Sequence, residues 1–319
     1  MYNKELDASF RGYCDAKGID LVAYNRELDS SNGWGLSWMK RMYLLIFCLL
    51  LLGCSEQTIK VASDVHEMNR HVIHKEVPQH EVDSEAFFVD LTSFERREPM
   101  EWGENVTAVK NQFQTEEKEI ALTFDACGGE YGNGYDEELI HFLRTEKIPA
   151  TLFVNERWIL ENESIFIDLA TEPLFQIENH GTNHSPLSVD GGEAWGIAAT
   201  ESAEEVYAEI MDNHKTVQEL TGKEMSLFRS GTAYYDEVAV ELANALGYEV
   251  VNYDILGDAG ATYSSNQVRD ALLNAEPGSI ALLHMNQPAS GTAQGVIEAV
   301  PSLKERGFEF VLLEGKKLE

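Results

Sequence analysis

From Phe87 onward, short runs of β-branched and other apolar residues alternate with longer stretches of helical spacing. The short runs are IALTF (120–124), PATLFV (149–154), LFQIENH (174–180), MSLFRS (225–230), YEVVNYDI (248–255), SIALLHM (279–285) and FEFVLL (308–313). Their length and composition predict strands. Between them, DEELIHFLRTE (136–146), the stretch around 203–220, EVAVELANALG (237–247) and the segments near 267–275 and 295–306 predict helices. A strand followed by a helix, repeated at this rhythm, predicts a parallel α/β architecture. At least six such strands in one domain favour closure into a barrel over an open sheet.

A different pattern precedes this body. Lys40 and Arg41 introduce an uninterrupted apolar run, Met42 to Leu52. The run is far shorter than the ~20 residues that cross a bilayer but matches the core of an export signal. It ends in Leu51-Leu52-Gly53-Cys54, which resembles the lipobox of bacterial lipoproteins. That resemblance implies lipidation of Cys54 and an exported, membrane-anchored protein of the bacterial cell envelope. Residues 1–38 show no hydrophobic periodicity and read as an upstream extension, with 39–53 as the signal. Residues 54–85 are polar and read as a tether, in which His71, His74 and His80 are solvated linker residues. The folded domain is expected over 86–319.

Composition removes one class of partner. With 55 acidic against 24 basic side chains the formal net charge is -31, which argues against nucleic acid, since phosphate binding needs clustered Lys and Arg. Of the four cysteines, Cys14, Cys48 and Cys54 precede the domain, so Cys127 alone remains in it. No disulfide framework is available, and stability has to come from the core.

In parallel α/β folds, chemistry gathers beyond the carboxyl ends of the strands. Asp125 follows IALTF, His180 ends LFQIENH, Arg229 ends MSLF, Asp258 follows YEVVNYDI and His284 ends SIALL. Each residue alone has an ordinary structural use, as a cap, an ion pair or a satisfied core histidine. Five of them at the ends of five predicted strands point to a site. His180 and His184, four apart where a strand enters a turn, can reach one divalent cation from the same side.

TFDACGG (123–129), NHGTNHSP (179–186), FRS (228–230), YDILGD (253–258) and LLH (282–284) resemble, in order and spacing, the five motifs of the polysaccharide deacetylases. These form carbohydrate esterase family 4, the NodB homology domain. The resemblance spans about 118–314 and implies a distorted (β/α) barrel that removes N-acetyl groups from an amino-sugar polysaccharide. It implies Asp125 as general base, His180 and His184 as ligands of a divalent metal such as zinc, and Arg229 as the partner of Asp125. His284 would be the general acid and Asp258 its orienting partner. A backbone N–H shortly after Arg229 would meet the oxyanion.

Two motifs depart from the family's pattern. The first normally carries two adjacent aspartates, the second a metal ligand, and here that position is Ala126. Asp125, Cys127 or Glu178 could supply the third ligand. Glu178 lies two residues before His180 and therefore on the same strand face. The third motif continues Ser230-Gly231-Thr232-Ala233-Tyr234 in place of the family's prolines and tyrosine. Cys127 as a covalent nucleophile has no activating base visible in the sequence. A carbohydrate-binding lipoprotein without turnover, or an amidase acting on a small non-sugar amide, are the competing functions.

Overall fold

A computed structural model describes residues 89–319. The extension, the signal segment, Cys54 and the tether lie outside the described residues. The strands are β1 (Trp102–Gly103), β2 (Glu119–Ala126), β3 (Ala150–Val154), β4 (Phe175–Asn179), β5 (Glu193–Ala194) and β6 (Ile197–Ala198). They continue as β7 (Leu227–Phe228), β8 (Tyr235–Asp236), β9 (Glu249–Val250), β10 (Ile255–Leu256), β11 (Ser279–His284) and β12 (Glu309–Phe310). Among them run helices α1 (Glu137–Glu146), α2 (Glu156–Glu161), α3 (Glu163–Thr171), α4 (Ala203–Thr221), α5 (Glu237–Ala245), α6 (Ser265–Leu272) and α7 (Thr292–Glu305). Polar side chains start the helices where the strands hand over to them. Asp136, Asn155, Ser202 and Asp236 each accept an N–H of the following turn.

Eight strands form one sheet in the order β10-β11-β2-β3-β4-β7-β9, with β12 also paired to β2. Every pair within it is parallel. The sheet curls into a distorted (β/α) half-barrel with helices outside. The seam between β9 and β10 is bridged by the segment before β2, where Lys110 pairs with Val251 and Gln112 with Ser279. Among the described residues no helix is long and apolar enough to cross a membrane.

Strand parity sorts the side chains into two layers. Ile120, Leu122, Phe124 and Ala126 of β2 join the large cluster between sheet and helices. Ala121 of the same strand, Phe153 of β3, Leu227 of β7 and Ile280 of β11 fill the barrel interior with Phe113, Val251, Leu313 and Leu318. The interior is therefore a packed plug of apolar residues. Polar groups of the same inward parity sit above it: Thr123, Asp125, His180, Arg229 and His284.

One predicted element divides. YEVVNYDI was expected as a single strand, but only Glu249–Val250 and Ile255–Leu256 are strand. The chain leaves β7 after Val250 and crosses the seam to β11. Asn252 and Asp254 hold the crossing: Asn252 donates to the Glu104 and Ala233 carbonyls, and Asp254 accepts from Ser279 and the Ile280 N–H. Hydrophobic periodicity cannot register such a change of partner.

Candidate active site

Asp125 ends the inward row of β2 and is 3% exposed. One of its oxygens lies 2.8 Å from Arg229 Nη1 and the other 3.7 Å from His180 Nε2. Arg229, the residue after β7, has no exposed surface and spans the barrel. Its Nη1 also donates to Thr123 Oγ1 (2.8 Å), its Nε to the Val251 carbonyl (3.0 Å) and its Nη2 to the Asn252 carbonyl (2.8 Å). The guanidinium carbon sits 4.2 Å from the centre of the Phe153 ring. A planar, multiply bonded cation over an aromatic face is a use of arginine that lysine cannot reproduce.

His284 pairs in register with Asp125 across β11 and β2. Its Nδ1 lies 2.8 Å from Asp258 Oδ1, while the other Asp258 oxygen accepts from the His284 N–H and the Thr292 hydroxyl. With Nδ1 engaged, Nε2 is the nitrogen left for the cleft that His284 lines. Burial lowers the His284 pKa, but Asp258 and, after it, Cys127 together raise the imidazole well above its usual range. Burial likewise pushes Asp258 up, and His284⁺, with the Thr292 hydroxyl and the Ala261 N–H, more than reverses that and holds the carboxyl below its ordinary value.

The third group is a cluster of metal donors. Cys127, His180 and His184 place one donor atom each within 4.8 Å of one another. Cys127 Sγ is 3.7 Å from His180 Nε2, and the two imidazole rings meet edge to face at 5.0 Å. His180 Nδ1 is held 2.9 Å from the Arg229 carbonyl, and His184 Nε2 is buried without a hydrogen-bond partner. An orphaned imidazole nitrogen beside a second imidazole and a thiol fits a divalent cation such as zinc. Burial raises the Cys127 pKa, yet the nearby imidazoles of His184, His284 and His180 prevail and hold the thiol well below its usual range. For His180, burial lowers the pKa, and Asp125 and Cys127 together raise it.

The loop carrying the histidines rests on residues that the motif reading did not include. Asn155 donates to the carbonyls of His180 and Gly181, and Glu209 on α4 accepts the N–H groups of Asn183 and Ser185. His184 itself has φ 65°, in the left-handed region. Gly231 makes room for it: a Cβ there would lie 2.3 Å from the His184 carbonyl oxygen. Gly128 is needed for a similar reason, since a Cβ there would lie 2.5 Å from the Trp158 nitrogen.

Of the residues expected at the site, Asp125, His180, His184, Arg229, Asp258 and His284 converge. Glu178 does not join the donor cluster. It has the inward parity of His180 but sits one strand repeat lower, about 6.6 Å. There Gln176 and the N–H groups of Ser226 and Leu227 take up its carboxylate. Burial raises its pKa to about 7 despite those donors. Asp125 also stays outside the three-donor set, bound to Arg229. Ala126 is fully buried in the outer apolar cluster, and Cys127, one residue on, faces the imidazoles.

Cys127, His184 and His284 line a cleft of about 430 Å³, with Tyr131 and Trp195 also on its lining. Trp195 is 74% exposed and Tyr131 82%. Trp195 occupies the two-residue turn of the β5–β6 hairpin with Gly196, both at positive φ (56° and 79°). A large aromatic side chain rarely adopts that conformation. Its ring meets Tyr234 at 5.8 Å, and Tyr234 meets Trp102 at 5.8 Å, forming an aromatic row. No motif signalled this hairpin. Its only trace in the sequence is a Trp-Gly pair within a glycine-rich stretch.

An ion-paired carboxylate and a carboxylate-bound imidazole thus flank a cluster of metal donors at the strand ends of a half-closed parallel barrel. The family model for polysaccharide deacetylase matches residues 112–251, and these residues belong to that family. No curated protein matches the chain in sequence. Solved structures share the fold. A CE4 family pseudoenzyme from Bacillus anthracis is 18% identical with a TM-score of 0.53, the match covering 63% of this chain and 65% of that one. The chain thus spans about two thirds of that protein's length. The Bc1960 peptidoglycan N-acetylglucosamine deacetylase is 21% identical with a TM-score of 0.55, covering 66% and 92%. Bacillus subtilis PdaA, a family 4 carbohydrate esterase, is 21% identical with a TM-score of 0.53, covering 68% and 94%.

Proposed function

We propose that this protein hydrolyses N-acetyl groups of an amino-sugar polymer such as peptidoglycan, a chitin-like glycan or poly-N-acetylglucosamine. The observation that carries the reading is the presence of two proton-transfer groups side by side at the ends of adjacent strands, Asp125 fixed by Arg229 and His284 fixed by Asp258. Asp125 takes a proton from the attacking water as its oxygen bonds to the acyl carbon. His284 gives a proton to the nitrogen as the C–N bond breaks, leaving acetate and a free amine. A divalent cation held by His180 and His184, zinc by the nature of the donors, would supply polarisation of the acetyl carbonyl. The N–H of Ser230 is committed to the Tyr235 hydroxyl, so Gly231 and Thr232, which line the cleft, are the backbone donors that meet the oxyanion.

The polymer reading rests on Trp195 and Tyr131, flat apolar surfaces on which sugar rings can lie. Trp195→Ala is expected to raise KM for a chitin or peptidoglycan oligomer roughly fivefold to tenfold, worth about 1 kcal/mol, with kcat little changed. An unchanged KM would remove the hairpin from the binding surface. The overall test is acetate release from both polymers by the metal-loaded protein. No release from either favours a second reading, a glycan-binding protein without turnover. Ala126 supports that alternative, as does the pseudoenzyme of like fold.

The lipobox-like ending at Cys54 supports attachment to a membrane of the cell envelope. Cys54→Ser is expected to shift the exported protein from the membrane to the soluble fraction. Persistent membrane association would assign the anchor to another segment.

A further inference from the structure

We infer that Cys127 supplies the third protein ligand of the metal centre, so that a thiolate does the work for which the family's first motif normally provides a carboxylate. The inference rests on the proposed metal-assisted reading and concerns this chain's own departure from the motif. At position 126 the side chain is a methyl group within the outer apolar cluster. One residue further the chain leaves β2, and the Cys127 side chain turns to His180 Nε2 at 3.7 Å. Three alternative carboxylates are less well placed. Glu178 has its carboxylate bound by three N–H groups below the site. Asp125 has one oxygen on Arg229 and the other 3.7 Å from His180 Nε2, yet it falls outside the set whose donor atoms all lie within 4.8 Å of one another. Asp258 is divided among His284 and Thr292. Cys127 forms no disulfide and lies with both imidazoles in the three-donor set found among the described residues.

The second observation is independent of the thiol. His184 Nε2 is buried and has no hydrogen-bond partner, and a polar atom in that position costs roughly 1–3 kcal/mol unless something binds it. His180 is oriented as metal-bound histidines usually are, with Nδ1 engaged by a backbone carbonyl and Nε2 turned to the cluster. A thiolate carries the same single negative charge as a carboxylate, so the centre's net charge is conserved. The ligand is softer, and it moves preference toward zinc and cobalt and away from magnesium and manganese.

The test uses the full-length protein loaded with cobalt(II), because a cobalt–thiolate bond gives a charge-transfer absorption in the near ultraviolet that N and O ligands do not. Wild type is expected to bind one equivalent with that absorption. Cys127→Asp should still bind cobalt but without the absorption. Cys127→Ala should lose affinity by more than the roughly 10–100-fold that follows loss of an outer hydrogen-bond partner. In parallel, zinc should protect the Cys127 peptide from iodoacetamide, as read by mass spectrometry. Unchanged cobalt affinity and absorption in Cys127→Ala would overturn the assignment. So would alkylation of Cys127 at the same rate with and without zinc, or a covalent acetyl adduct at Cys127, which would make it a nucleophile. The cobalt and alkylation readouts need no turnover. A protein that binds metal through Cys127 yet releases no acetate therefore refutes the hydrolase reading and leaves the ligand intact.

Discussion

Asp125→Asn and His284→Ala are each expected to lower acetate release by about 10²–10⁴, the usual worth of a positioned acid or base. Oligosaccharide affinity should stay nearly constant, because neither group is needed to hold the sugar in the ground state. The two variants are not equivalent physically. His284 lies at the cleft, and its removal leaves the plug below untouched. Asp125→Asn deprives a buried Arg229 of its only carboxylate partner among the described residues, so its folding has to be verified alongside the rate. The pH–rate profile of the wild type should be bell-shaped, and each variant should lose one limb. Asp258→Asn tests the assignment of the alkaline limb. Asp258 raises the His284 pKa, so without it the imidazolium is lost at lower pH. The alkaline limb should therefore move to lower pH. If it stays in place, His284 is not the acid. Rates unchanged in both Asp125→Asn and His284→Ala would end the deacetylase mechanism drawn from this cleft.

Arg229→Ala should destabilise the fold by about 3–5 kcal/mol, the range for breaking a buried ion pair by removing one partner. The substitution leaves Asp125 without a countercharge, the Val251 and Asn252 carbonyls without donors, and a void over Phe153. Lysine should recover part of the loss, because it keeps the charge but not the fork of donors. Urea unfolding of the three proteins measures both effects. A loss in Arg229→Ala within the ~1 kcal/mol of an ordinary surface pair would mean that Arg229 does not brace the barrel.

Much of this arrangement was legible from strand parity and strand ends. Asp125, His180, Arg229 and His284 fall on inward positions of strands whose apolar runs are plain in the sequence, and a parallel barrel gathers such positions at one mouth. Parity gives the face of a side chain but not its depth, which is why Glu178 was a reasonable candidate and lies a layer too low. Helices α2 and α3, Glu156–Thr171, were not predicted. The first is only a turn and a half long and starts directly at the end of β3. Asn155, Glu209 and Asn252 reach the site through hydrogen bonds that fold back from distant segments, and single polar residues of this kind leave no periodic signal. Trp195 stands on a two-residue hairpin outside the barrel sheet, where neither periodicity nor motif order reaches.

The bond between Asp125 and Arg229 bears on how such a protein changes over generations. The carboxylate that would act as base is also the counter-ion of a fully buried cation, so a lineage that had abandoned hydrolysis would still be selected to retain both residues simply to remain folded. Cys127 and His184 carry no comparable burden and are free to drift once the reaction ceases to matter. Among descendants of this chain, persistence of the aspartate–arginine pair then records the inheritance of a shape. Loss or retention of the cysteine records whether the metal centre survived.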